Sequence, residues 1–288
     1  MTTQPQTTND VAFGFVKSLA AELSIGRVEL PSFPEIALRV RRVLSDANSS
    51  VDKVVRVVGS EPALAGRLLR IANSASINRS GKHVADLRTA INRMGYDMVR
   101  SASMSFAMAQ MRNNEKLVCV KHYLDDLWQR STLVAAFAFV LARTCTKINP
   151  DEAMLAGMMH GIGKLYVLTR VADHKELFGA PATLNKIVSD WHTQIGKAIL
   201  ENWEFSDAMV QAVADQNDFD RVAEAADLSD VVAVAILMAS FAADPDGLIA
   251  ALAELPVTVR LGLDAPRTLS ILKDFEAEIG ALRTALSV

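Results

Sequence analysis

The sequence predicts an all-α fold, and three observations lead there. Half of the 288 residues are hydrophobic but only 6% are aromatic, and the abundance of Ala, Leu, Val and Met favours helices over sheets. Apolar residues recur at spacings of three and four through most of the chain. No segment alternates apolar and polar residues as a half-buried strand would. The length allows one large domain or two small ones, and a charged fraction of 22% is that of a globular protein.

The elements follow in order. The polar start, residues 1–10, lacks the pattern of a signal peptide and reads as a frayed tail. Val11, Phe15, Val16, Leu19 and Leu23 make the first helical face over residues 10–25. Pro31 and Pro34 mark a break. Ile36, Val40, Val43 and Leu44 form a second helix. Ser50 is placed to cap a third, which carries Val51, Val54, Val55 and Val58. Ser60 is placed to cap a fourth with Leu64, Leu68 and Leu69, whose early Pro62 suits a first turn. A loop of small and polar residues runs from Asn73 to His83. Asp86 then caps a short helix that Gly95 stops. Met104, Met108 and Met111 share one face of the next helix. Such a stripe can be an adaptable binding surface, but core packing is the plainer reading.

A long helix covers residues 120–144. Asn149 caps another, with Pro150 first and Glu152 three after the cap. Its apolar period continues through Met154, Leu155, Met158, Met159, Ile162, Leu165 and Tyr166, which predicts one helix with His160 inside it. Further helices are expected over 183–202, 206–216 and 229–243. The longest apolar run, Val231 to Ala243, is thirteen residues. A membrane span needs roughly 20, so a buried core helix is expected. A last helix from about Pro266 places Leu272, Phe275, Ile279, Leu282 and Leu286 on one seam. Two repeats are short for a coiled coil, so docking onto the same chain is favoured over dimerisation. Cys119 and Cys145 form no C-x-x-C and read as reduced core thiols of a cytoplasmic protein.

The net charge of −3 hides an asymmetry. Residues 27–112 hold 14 Lys+Arg and 7 Asp+Glu, a balance of +7, so the remainder carries −10. A basic first half can serve an acidic partner or nucleic acid. The cations are spread over several helices, which favours ordinary solvated charge and makes nucleic acid an unfavoured partner.

Phosphate-loop, dinucleotide-binding, nucleophile-elbow and H-E-x-x-H motifs are absent. The stretch that stands out is Ala153-Met-Leu-Ala-Gly-Met-Met-His-Gly-Ile-Gly-Lys164. On a continuous helix Gly157, His160, Gly161 and Lys164 share a face. Helical glycine costs about 1 kcal/mol against alanine, so two beside His160 predict close backbone approach or free space there.

Four stretches resemble the HDOD family, the HD-related output domain of bacterial signalling. They are Leu30-Pro-Ser-Phe-Pro-Glu-Ile-Ala, Ser60-Glu-Pro-Ala-Leu-Ala-Gly-Arg-Leu-Leu-Arg-Ile-Ala-Asn-Ser-Ala75, Leu87-Arg-Thr-Ala-Ile-Asn-Arg-Met-Gly95 and the AGMMHGIGKL segment. The likeness spans roughly Leu30 to Gln216. It implies a bundle of two packed helical lobes with additional C-terminal helices, related to HD metal phosphohydrolases. It also implies a regulator rather than an enzyme. The division that follows is 1–25, tail and first helix; 26–112, N-terminal lobe; 113–220, HD-like lobe; and 221–288, a C-terminal extension.

The resemblance also implies where metal ligands would stand, and most are missing. Arg130 occupies the position of an early histidine. His160 matches, but Gly161 replaces the adjacent aspartate. His192 resembles a later histidine, and a following His-His pair falls at Gln216-Asn217. A divalent metal wants several N/O ligands with at least one anion, and Arg130 opposes a cation. No metal or other cofactor is expected, and without one the hydrolytic nucleophile is lost. Arg130, His160, Lys164 and His192 would instead suit a nucleotide or phosphate anion. The plainer alternative is hydrogen-bonded core histidines with surface cations. The leading functional expectation is a non-catalytic cytoplasmic signalling module that binds a protein partner. A nucleotide or anion sensor comes second, and a metal-dependent phosphohydrolase third.

Overall fold

The computed structural model describes residues 8–287 except 27, 29, 31, 32, 47, 75, 76, 79 and 80. The tail at residues 1–7 and the break at Pro31 lie outside the described residues. The described residues contain helices and no strand. No helix among them is long and apolar enough to cross a membrane.

Local chemistry sets the first group of elements. α1 (Thr8–Ile25) begins inside the expected tail and buries Phe15 and Leu19. α2 (Glu35–Ser45) follows extended Pro34. α3 (Val51–Gly59) is capped by Ser50, whose hydroxyl accepts from the Lys53 amide. Ser60 does not cap α4 (Pro62–Ala72). It closes α3 by donating to the Val57 carbonyl at 2.7 Å, and Glu61 precedes α4 without a side-chain cap. Pro62 at the first position needs no amide partner, so α4 starts without one. Asp86 caps α5 (Leu87–Arg112) through the Thr89 amide at 2.8 Å. Gly95 interrupts α5 with φ 76° and ψ 163°, a conformation that a side chain disfavours. Beyond this kink Met104, Met108 and Met111 are all buried; the stripe is core.

A 3-10 turn over Glu115–Val120 leads into α6 (Lys121–Cys145). Then come α7 (Pro150–Met159), α8 (Ile162–Val171), α9 (Lys175–Phe178), α10 (Pro181–Asn202) and α11 (Asp207–Ala214). α12 (Leu228–Ser240) is buried from Leu228 to Ile236 and ends three residues before the apolar run does. Its cap is Asp227, whose carboxylate accepts from the Asp230 amide at 3.1 Å. α13 (Pro245–Leu252) and α14 (Pro256–Leu261) were not legible as periodic segments.

The single last helix and its seam are overturned. Phe275 leaves helical geometry (φ −109°, ψ 8°) and splits the segment into α15 (Ala265–Asp274) and α16 (Glu276–Ser287). Ile279, Leu282 and Leu286 are buried as α16 packs on α6 and α5, so the segment does dock onto its own chain. Arg143 of α6 grips the Glu278 carboxylate through two bonds, at 2.7 and 2.5 Å. The cysteines are free, but not core: Cys119 is exposed on the 3-10 turn and Cys145 is half-buried.

α6 lies at the centre. It packs on α7, α12 and α16, while α2, α3 and α4 pack on α5. α8 crosses α10 where Gly163 faces the His192 backbone: a Cβ on Gly163 would overlap the His192 carbonyl oxygen and sit 2.8 Å from the Gly196 nitrogen. This crossing brings His160 and His192 into one region.

Candidate functional site

The expected continuous helix breaks at His160-Gly161. α7 ends at Met159, Gly161 turns to φ −90°, ψ 6°, and α8 starts at Ile162. The break frees the His160 carbonyl from the helical ladder, and such a buried acceptor needs a partner. Gln216 supplies it: its Nε2 donates to the His160 oxygen at 3.0 Å and to Val213 O at 2.7 Å. Gln216 is itself 1% exposed.

Both histidines have a tautomer fixed by their neighbours. His160 Nδ1 lies 2.6 Å from the Gly157 carbonyl, which can only accept, so Nδ1 carries the proton. Its Nε2 lone pair is buried without a partner. His192 Nδ1 donates to Val188 O at 2.8 Å, and Asn217 Nδ2 stands 3.4 Å from its Nε2. Burial, then the nearby Lys164 charge, pushes His160 down to about 3 and His192 down to about 4. Both rings are neutral at pH 7, with the lone pair on Nε2.

The glycines differ in what they allow. Gly157 permits close approach of α7 to α6, since a Cβ there would lie 2.8 Å from Ala135 Cα. Gly161 does not leave open space beside His160, contrary to the alternative read from the sequence. A Cβ on Gly161 would meet Leu127 Cδ1 at 2.6 Å and Ser131 Oγ at 3.3 Å. Leu127 fills the place where a carboxylate would stand.

Arg130 and Lys164 do come together. They line a cleft of about 180 Å³ with Tyr123, Asp126, Leu127, Leu168, Leu184, Asn185 and Val188. Burial lowers the pKa of Lys164, as does the charge of Arg130. Arg130 is half-buried and donates to Ser240 Oγ at the end of α12. His160, Gly161, His192, Gln216 and Asn217 are not among the cleft-lining residues. Tyr123, Asp126 or Leu127, and Arg130 fall one helical turn apart on α6, a spacing that was available in the sequence and marks this wall.

These residues do not fit a divalent metal. His160 and His192 are the two nitrogen ligands on offer, but the Lys164 charge acts on both and that of Arg130 on His160. Among the described residues no group of three or more His, Cys, Asp or Glu could hold an ion.

Residues 30–219 match the HDOD domain family. A crystal structure from Shewanella amazonensis SB2B, provisionally named a metal-dependent phosphohydrolase, is 26% identical. It has a TM-score of 0.72, with 97% of this chain and 99% of that chain covered. An HDOD domain protein of unknown function from Geobacter sulfurreducens is 22% identical, with a TM-score of 0.65 and coverage of 93% and 96%. A Marinobacter aquaeolei VT8 protein provisionally named for signal transduction is 20% identical, with a TM-score of 0.63. There the alignment covers 96% of this chain and 66% of that one. No curated protein matches the sequence.

Proposed function

Since this chain belongs to the HDOD family, and Leu127 packs where an HD enzyme would carry its carboxylate, we propose that it is a non-catalytic signalling module of the cytoplasm that acts by binding a protein partner. The observation that carries this reading is the contact that any side chain on Gly161 would make with Leu127 and Ser131. Hydrolysis in the HD manner needs a metal to lower the pKa of its water. Here the Lys164 charge acts on both histidines, and Gly161 brings no carboxylate to the place of the missing aspartate. Apolar side chains exposed on several elements, Val118, Val222 and Val259 among them, offer contact points for a partner.

Two measurements test the proposal. Protein purified without chelator is analysed for metal and assayed on phosphomonoesters, phosphodiesters and nucleotides with Mn²⁺. Stoichiometric metal with turnover abolished by His160→Ala would sink the non-catalytic reading. Crosslinking in native lysate, followed by reconstitution with the purified candidate, tests the partner. Failure to reconstitute any saturable complex would refute that half.

The paired cations favour a second reading, an anion sensor that uses the Arg130–Lys164 cleft. The probes are inorganic phosphate and a cyclic dinucleotide. Binding that Lys164→Met weakens about tenfold or more would support it, and no thermal shift with either probe would remove it.

A further inference from the structure

Arg67 and Arg41 are the buried arginines among the described residues, and neither pairs with a carboxylate; Arg41 bonds the Glu204 carbonyl oxygen at 3.3 Å, whereas several half-buried arginines find acidic partners. Arg221 and Arg260 share Asp230, Arg143 pairs with Glu278, and Arg170 pairs with Glu22. Arg67, on α4, is 3% exposed. Its Nη2 donates to Ser105 Oγ at 2.7 Å and to the Leu286 carbonyl of α16, while its Nε is buried without a partner. Those acceptors are neutral. Burial, with the charges of Arg70 and Arg112 nearby, holds the Arg67 guanidinium down to about 10. Arg70 lies close by and is exposed. Among the described residues neither Arg67 nor Arg70 forms an ion pair. A guanidinium taken out of water with no counter-ion among the described residues is unfavourable, and this one borders open space.

That space is a cavity of about 380 Å³ between α4 and α16. Arg67 and Arg70 stand in one wall with Ile71, and Gly280, Ala281 and Thr284 form the other. A Cβ built on Gly280 meets nothing within 4 Å, so the small face of α16 does not close on α4. The volume falls within the range of small-molecule sites. Two requirements fix the ligand class. The arginines call for an anion, best a planar carboxylate that matches the guanidinium fork. The aliphatic and small side chains call for an apolar body. A simple inorganic anion leaves these walls wet, and a neutral apolar molecule leaves Arg67 without its counter-charge.

We propose that this cavity binds a single-chain amphiphile with a carboxylate head, the head between Arg67 and Arg70 and the tail between Ile71 and the Gly280–Thr284 face. Because Arg67 also holds Leu286 O, the occupant would contact the residue that fastens the end of α16. The site is separate from the His160 region and does not depend on the function proposed above.

The test is calorimetric titration of the full chain with decanoate below its micelle-forming concentration, with decanol and acetate as controls. One saturable site is expected for decanoate, with both controls weaker by at least about tenfold. Arg70→Ala should weaken decanoate several-fold. Thr284→Trp, an exposed position on the cavity wall, should abolish binding while the urea midpoint stays unchanged. Arg67→Met, which keeps the aliphatic volume, should bind decanol and decanoate alike. Equal affinity for decanol in the parent protein, full decanoate affinity in Thr284→Trp, or no saturable binding would overturn the proposal.

Discussion

Lowering the pH from 7.5 to 5.5 should destabilise this fold through two histidines. His160 and His192 are held at about 3 and about 4, against about 6.5 in an unfolded chain. Between the folded and unfolded values only the unfolded state binds the proton. Stability therefore rises with pH across that window: it is complete above about pH 6.5 and declines as the pH falls below it. At pH 5.5 proton uptake favours the unfolded state by about 1.4 kcal/mol per histidine, and at pH 7.5 by roughly 0.1. The expected loss is about 1.3 kcal/mol for each ring and about 2.6 for the pair. The folded values enter only by lying well below 5.5, so the magnitude does not depend on their exact size. Urea unfolding of the parent, His160→Asn and His192→Asn at both pH values is the assay. Other titrating groups cancel in the difference between variant and parent, and each substitution should remove about half of the pH-dependent loss. An unchanged loss in both variants would mean that the rings are not held neutral, and the account of the site would fail.

The other predictions concern packing and charge. Gly161→Ala should lower stability by about 1–3 kcal/mol from overpacking against Leu127, since its backbone angles permit any residue. Adding Leu127→Ala should give a double variant less destabilised than the sum by about 1 kcal/mol, and a neutral Gly161→Ala would reopen the metal reading. Gly163→Ala should cost more, about 3 kcal/mol or above, because the obstacle is the backbone of α10; a urea midpoint close to the parent's would contradict the α8–α10 crossing. Asp230→Ala should cost about 3 kcal/mol, since Arg221 and Arg260 both bond that buried carboxylate at 2.7 Å. A loss below about 0.5 kcal/mol would show that this network behaves like a surface ion pair.

Features that depend on near neighbours were legible along the chain. The 3.6-residue period located most helices. Ser50, Asp86 and Asn149 could be read as caps because each bonds an amide two or three residues on, and Gly95 could be read as a stop because its backbone angles exclude most residues. That Gly161 brings no carboxylate was also legible, since glycine has no side chain in any fold. Tertiary structure decided the rest. Ser60 could serve either of two helices, and local preference does not choose between closing α3 and opening α4. The apolar period runs unbroken through His160, because a turn of one or two residues hardly disturbs it; the break exists because Gln216, far along the chain, takes the freed carbonyl. The seam through Phe275 failed for the same reason, as α16 follows the surface of α6 and α5 rather than the axis of α15. Whether Gly161 borders a void or a filled space depends on Leu127, on another helix, and no spacing along one segment records that contact. The sequence named the residues of the candidate site, but packing between α6, α8 and α10 decided that Arg130 and Lys164 share a cleft while His160 lies buried outside it.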